Sequence, residues 1–376
     1  MNREKRIFKD GSLYYLIVIL FLILFFGLRP KDYNFINCVT WITDQAGIHF
    51  KKYGIVYTNL IIGKKETDFS VSNNFSLEIA LKPTKPSIDG FSFIVVHHDG
   101  NDGNQLLMAQ WRSWIIFMNG DDYAHKRKTN RIEVDTALLP DGPLFITITT
   151  NTNSTRLYCN GKLLKENQTL ALTMPNGRKS RILVGNSLYG NNSWEGDIFG
   201  LAIYRETLNS KDIEAHFENW SKEYNFSFAK NDNPFVLYFF DEKEGKLALD
   251  HAANNHHLKI PTRMKVLKRK ILELELEKYE YGSNYIQDCL LNLLGFIPLG
   301  FSLSATLIRY RKKFSQHVVL KTIFLCFLVS LFIEIFQAWI PSRSSSMSDL
   351  ILNTCGALIG SIICYKVLTK KLYKIN

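Results

Sequence analysis

Asp288 and Asn292 stand four residues apart inside the apolar run 286–308, and the chain repeats the device twice. Glu334 and Gln337 lie three apart in the run 318–340, and Asp349 and Asn353 four apart in 348–368. Those spacings put each pair on one face of a helix. Inside a bilayer such groups are costly, about 2.5–3.5 kcal/mol for an aspartate near the centre, so they imply an interhelical network or a polar pocket. At ~1.5 Å per residue, with successive runs alternating in direction, all three pairs fall within roughly 10 Å of one membrane surface. Arg343, in the short connection 341–347, hangs over them, where it can neutralise Glu334 or Asp349. Ser344, Ser345 and Ser346 add hydroxyls. No histidine in these runs offers a general base, so the constellation points to binding or structure before catalysis.

Four apolar segments must carry these residues: 13–28, 286–308, 318–340 and 348–368. The first lacks charge and proline and is followed by Arg-Pro-Lys-Asp, with no small-residue cleavage site, so it reads as an uncleaved anchor. The formal charge of +11 invites a nucleic-acid reading, but residues 31–284 hold 31 Lys+Arg against 30 Asp+Glu. The excess flanks the apolar runs, as in a membrane protein. Nucleic acid is therefore excluded as a partner and membrane lipid is implied. Basic groups at 1–12, between 308 and 318, and at 369–376 place both termini in the cytoplasm, with 29–285 outside. Pro298 can kink the second span, while Gly295 and Gly300 permit close approach. Gly356 and Gly360 share a stripe with Asp349 and Asn353. Packing that stripe on the third span is expected to bring Glu334 near Asn353.

Residues 31–261 read as an all-β sandwich: short alternating runs such as 75–82, 91–96, 114–118 and 144–150 are separated by Gly, Asn, Asp and Pro. Asn160-Gly161 predicts a type I′ hairpin between 155–159 and 162–164. A helix is expected after Leu208, capped by Asn209 or Ser210. Residues 262–285 form a juxtamembrane stalk. Trp111, Tyr123, Tyr189 and Trp194 are candidate ligand-facing rings, although sandwiches bury most large aromatics. Asp99, Asp102 and Asn104 offer oxygens that Ca²⁺ could use; no cofactor is required. Cys38 and Cys159 are the cysteines available for a bridge in an oxidising compartment.

The strings 75–83, 157–163, 181–185 and 194–204, in that order, resemble a laminin-G/concanavalin-A-like jelly roll. Residues 236–250 are similar to that fold's opening strand and turn, here placed late. Such domains host glycan binders, protein binders and glycosidases, so the resemblance leaves an envelope glycan or a surface protein as the implied outer partner. The paired-carboxylate string of laminarinase-like members is missing, which argues against an enzyme. Asn292-Leu-Leu-Gly-Phe-Ile-Pro-Leu-Gly300, Glu334-Ile-Phe-Gln337, Pro341-Ser-Arg343 and 349–360 resemble the VanZ family over 286–368. That resemblance implies a bacterial cytoplasmic-membrane protein acting on the envelope, in lipid-headgroup interaction or glycopeptide resistance. A tethered adhesin and an enzyme on lipid-linked saccharides are the alternatives.

Overall fold

A computed structural model describes residues 2–30, 35–58, 74–84, 87–120, 130–175, 180–273, 283–311, 316–340 and 343–373. The chain divides into two compact units, residues 34–267 and residues 1–33 with 268–376. After helix α1 (Asn2–Leu28), the strands are β1 (Val39–Trp41), β2 (Ile48–Phe50), β3 (Val56–Thr58), β4 (Phe75–Pro83), β5 (Ser87–His98), β6 (Leu106–Arg112), β7 (Trp114–Asn119), β8 (Arg131–Asp135), β9 (Leu144–Thr150), β10 (Thr155–Cys159), β11 (Lys162–Asn167), β12 (Arg181–Val184) and β13 (Gly196–Tyr204). Helix α2 (Ser210–Glu223) follows, then β14 (Val236–Tyr238), β15 (Leu247–Ala248) and β16 (Leu258–Lys259). Helices α3 (Ser283–Arg311), α4 (Gln316–Gln337) and α5 (Met347–Tyr373) come last.

The unit 34–267 is a two-sheet sandwich. One sheet runs β1-β2-β13-β4-β9-β10-β11 with β14 also on β13, and the other runs β15-β16-β3-β12-β5-β6-β7-β8. Strand alternation fills the space between them: Ile146 and Ile148 of β9, Leu201 and Ile203 of β13, and Ile115 and Phe117 of β7 share one core. The opposite face of β9 and β13 is also apolar, with Phe145, Phe199 and Tyr204 packing against Ile213 and Trp220 of α2. Asn209 caps α2 by accepting from Lys211 N and Asp212 N at 3.0 and 3.1 Å. Asn160 and Gly161, at φ +49° and +75°, make the two-residue turn that sets Cys159 opposite Lys162. Positive φ at both positions is the type I′ requirement.

A carboxylate with 0% exposure lies inside this unit. Glu78 of β4 is fully buried and accepts from Thr147 Oγ1 (3.2 Å) and Tyr204 OH (3.0 Å), with His216 Nδ1 at 3.0 Å. His216 Nε2 reaches Asp232 at 3.2 Å. Burial works against the charged imidazole, but the hydrogen bond and charge of Glu78, with Asp232 behind it, outweigh that and raise the His216 pKa.

In the other unit, four helices among the described residues are long and apolar enough to cross a membrane: Gly11–Leu28, Ile286–Arg309, His317–Gln337 and Met347–Leu368. The third helix ends at Gln337; residues 338–340, expected to continue it, turn instead. Helices α3 and α5 meet backbone to backbone. A Cβ on Gly356 would lie 2.0 Å from Leu293 O, on Gly360 2.1 Å from Ile297 O, and on Gly300 2.1 Å from Ala357 O. The glycine stripe of α5 thus packs on the second span, not the third as expected, its glycines lying against the main chain of Leu293 and Ile297. Gly295 has nothing within 4 Å and plays no part in this seam. Buried hydroxyls tie α3 to both α4 and α5, Ser304 Oγ lying 2.9 Å from Thr322 Oγ1 and 2.7 Å from Ser361 Oγ.

Candidate functional site

At one end of the bundle the helices enclose a cavity of about 580 Å³. Asp288, Asn292, Glu334, Gln337, Arg343, Asp349 and Asn353 all line it. The helical spacing of each pair explains the convergence: α3 and α5 start at this end and α4 finishes there, so three short polar faces meet. Gly295 lines the cavity too, where its missing side chain leaves room. The fourth wall comes from α1, through Leu22, Ile23, Phe26 and Gly27.

The floor and rim are held by specific bonds. Glu334, 1% exposed, accepts from Ser346 N at 2.8 Å, which fixes the connection leading into α5. Ser346 Oγ in turn accepts from Ser348 N at 3.1 Å, a helix N-cap arrangement. Leu272 N donates to Ser345 Oγ and Met347 N to Glu273 O, both at 3.1 Å, so residues 272–273 brace the connection from the side. Gln337 Nε2 donates to Gly27 O at 2.8 Å. Asn353 reaches Ser330 of α4 through Nδ2 at 3.0 Å, where Glu334 had been expected, one helical turn from the actual partner. Its Oδ1 is buried with no hydrogen-bond partner.

Arg343 sits within the field of Asp288, Glu334 and Asp349, and its hydrogen bonds go to main chain. Its Nε donates to Arg29 O at 2.9 Å and its Nη2 to Phe26 O at 3.0 Å, capping the C-terminal end of α1. Those carbonyls lack partners within the helix, which makes them a natural seat for a cation. Burial lowers the guanidinium pKa, and the negative charge of Asp288, Asp349 and Glu334 works against that lowering.

The candidate ligand residues of the sandwich fare less uniformly. Trp194 is 1% exposed and its Nε1 donates to Gln110 Oε1 at 2.7 Å, so it is a core residue and not a ligand-facing ring. Trp111 is half-buried beneath the Arg112 guanidinium at 4.8 Å. Tyr189 donates its hydroxyl to Asp102 Oδ2 at 2.5 Å, and His98 Nε2 lies 2.8 Å from Oδ1. Both oxygens of Asp102 are therefore engaged. Asp99 accepts from Asn101 N at 2.9 Å and Asn104 N donates to Asn101 O at 3.3 Å, so turn bonds organise the stretch 99–104. Tyr123 lies outside the described residues. Cys38 and Cys159 are both free thiols, so the bridge that the sequence left open is not formed. Cys159 faces the core, and burial pushes its thiol up to about 11, while Cys38 Sγ donates to Ile36 O. Asp241, Glu242 and His251, not singled out by sequence, bring one ligand atom each within 4.8 Å.

Two family models match the chain: VanZ/LLP1 over residues 235–369, and the concanavalin A-like lectin/glucanases superfamily over residues 58–214. The chain is thus similar to VanZ/LLP1 over one stretch and to the concanavalin A-like lectins over another. The VanZ match begins well before the expected residue 286, at the start of β14, and takes in the last strands of the sandwich unit. It contains every polar cavity residue named above. Among solved structures, a candidate carbohydrate binding protein from Bacteroides ovatus shares 13% identity over 60% of this chain and 62% of its own, at TM-score 0.39. The receptor binding domain of botulinum neurotoxin D shares 19% over 51% and 47%, at 0.37. The ligand binding domain of serotype D in complex with N-acetylneuraminic acid shares 18% over 51% and 45%, at 0.35. The chain thus spans less than two thirds of the length of each of these proteins. No curated protein matches.

The α1 wall, outside the VanZ match, is what sequence reasoning missed at the cavity. An unbroken apolar run carries no mark of which face meets a neighbour, and the bonds from Gln337 and Arg343 go to main-chain carbonyls that every residue possesses. Gly27 was the available signal: a Cβ there would lie 3.1 Å from Ile333 Cγ2.

Proposed function

We propose that this chain is a bacterial cell-envelope membrane protein whose bundle cavity holds the polar headgroup of a membrane lipid or lipid-linked envelope precursor. In this reading both termini are cytoplasmic and the cavity lies in the outer leaflet, a topology supported by the basic groups at the opposite helix ends. The concanavalin A-like domain recognises an envelope glycan or surface protein, a role supported by its family match. One observation carries the proposal: a cavity of about 580 Å³ within apolar helices has Asp288, Asn292, Glu334, Gln337, Arg343, Asp349 and Asn353 in its wall, and Asn353 leaves a buried acceptor unbonded. A purely structural network would satisfy that oxygen from a neighbouring helix, because a buried acceptor without a partner costs about 1–3 kcal/mol.

The test is genetic. A strain lacking the gene, complemented with wild type, Asp288→Asn or Asn353→Leu at matched protein levels, is challenged with glycopeptide antibiotics and other envelope stress. The wild type alone should restore tolerance. Equal tolerance from all three, or no sensitivity in the deletion, would make the helices a tether for the outer domain and nothing more.

A further inference from the structure

We propose that the cavity selects a primary ammonium group carried on a lipid headgroup. This rests on the binding reading above and adds the chemistry of the ligand. Charge is the first support. Among the described residues, three carboxylates, those of Asp288, Glu334 and Asp349, line the cavity against one guanidinium, that of Arg343. An anionic ligand placed there meets repulsion from three groups and attraction from one.

Hydrogen-bond polarity is the second support and is independent of charge. Arg343 already donates through Nε and Nη2 to the carbonyls of Arg29 and Phe26. The amide nitrogens of Gln337 and Asn353 donate to Gly27 O and Ser330 Oγ. These four donors are thus directed into the protein, while Asn353 Oδ1, on a residue only 4% exposed, accepts nothing. A fitting ligand brings N–H donors and positive charge together. A primary ammonium supplies three donors, as a lysine does, whereas a quaternary ammonium of equal charge supplies none. The lipid origin follows from the remaining wall, where α1 presents Leu22, Ile23 and Phe26, side chains suited to the apolar stem of such a molecule.

Purified full-length protein in detergent is titrated calorimetrically with short-chain phosphatidylethanolamine, phosphatidylcholine and phosphatidylglycerol, and with soluble phosphoethanolamine. Wild type is compared with Asn353→Leu and with Asp288→Asn, whose exposed position leaves folding intact. Phosphatidylethanolamine should bind, with the choline and glycerol lipids weaker by roughly tenfold or more, and Asp288→Asn should weaken it by a similar factor at an unchanged melting temperature. Binding of soluble phosphoethanolamine as tight as that of the lipid would overturn the lipid origin. Choline or glycerol lipids binding as tightly as phosphatidylethanolamine, and lost in Asn353→Leu, would overturn the ammonium selection while leaving the cavity a binding site. Binding unaffected by either substitution, or no binding at all, would overturn the binding reading itself.

Discussion

A methyl group added at Gly360 should force the two most closely packed helices apart, whereas the same methyl at Gly295 should do no harm. At Gly360 the new Cβ would lie 2.1 Å from Ile297 O and 2.8 Å from Phe301 N, both main-chain atoms that no rotamer change can move. Reaching an ordinary contact of 3.4 Å requires α3 and α5 to separate by about 1.3 Å at this crossing. Overpacking of that kind costs about 1–3 kcal/mol, and Gly356→Ala and Gly300→Ala, with gaps of 2.0 and 2.1 Å, should fall in the same range. At Gly295 nothing lies within 4 Å, so helix propensity alone acts, and alanine should be neutral or stabilising by roughly 0.5–1 kcal/mol. Thermal unfolding of the purified protein in detergent, followed by helical circular dichroism, separates the two classes. If Gly295→Ala lowers the melting temperature as far as Gly360→Ala, or if the three seam substitutions are tolerated, the packing described for α3 and α5 is wrong.

Three further outcomes are expected. The His216 pKa is raised in the folded chain, so the stability that its ion pairs contribute is fully present below its unfolded pKa of about 6.5. That contribution is lost as pH rises through the folded value; urea midpoints of the sandwich transition should fall from pH 6 to pH 8 in wild type and show a smaller drop in Glu78→Gln. With Cys38 and Cys159 unbridged, melting temperatures with and without reductant should agree, and alkylation of the denatured, unreduced protein should label both thiols. Arg343→Ala removes the two bonds that hold the end of α1, so a Gly27→Cys/Ile333→Cys pair should cross-link readily in an Arg343 background and less completely in the alanine variant, while Arg343→Lys, lacking the planar fork, should fall between.

The polar cavity was legible because helix periodicity is a strict rule: residues three or four apart share a face, and a polar face in an apolar segment has few reasons to exist. Asp288 with Asn292 and Asp349 with Asn353 needed nothing more to be placed together. Their partners were less legible. Which helix Gly356 and Gly360 face depends on the order of packing around the bundle, which spacing within one helix does not encode. In the sandwich, strand period marks the buried face of β9 and β13, and Asn160-Gly161 marks the hairpin through its φ requirement. A period of two cannot distinguish an exposed acid from Glu78, buried among Thr147, Tyr204 and His216. Trp194 misled for a related reason: a tryptophan beside Gly-Asn-Asn-Ser looks exposed, yet its indole N–H finds Gln110, 84 residues away in sequence.

The most direct test of the central claim is the cavity's content. Native mass spectrometry of the full-length protein, released from native membranes in mild detergent, should show wild type carrying a bound lipid that Asn353→Leu lacks. Identical lipid retention by the two proteins, at equal folding and purity, would contradict the account.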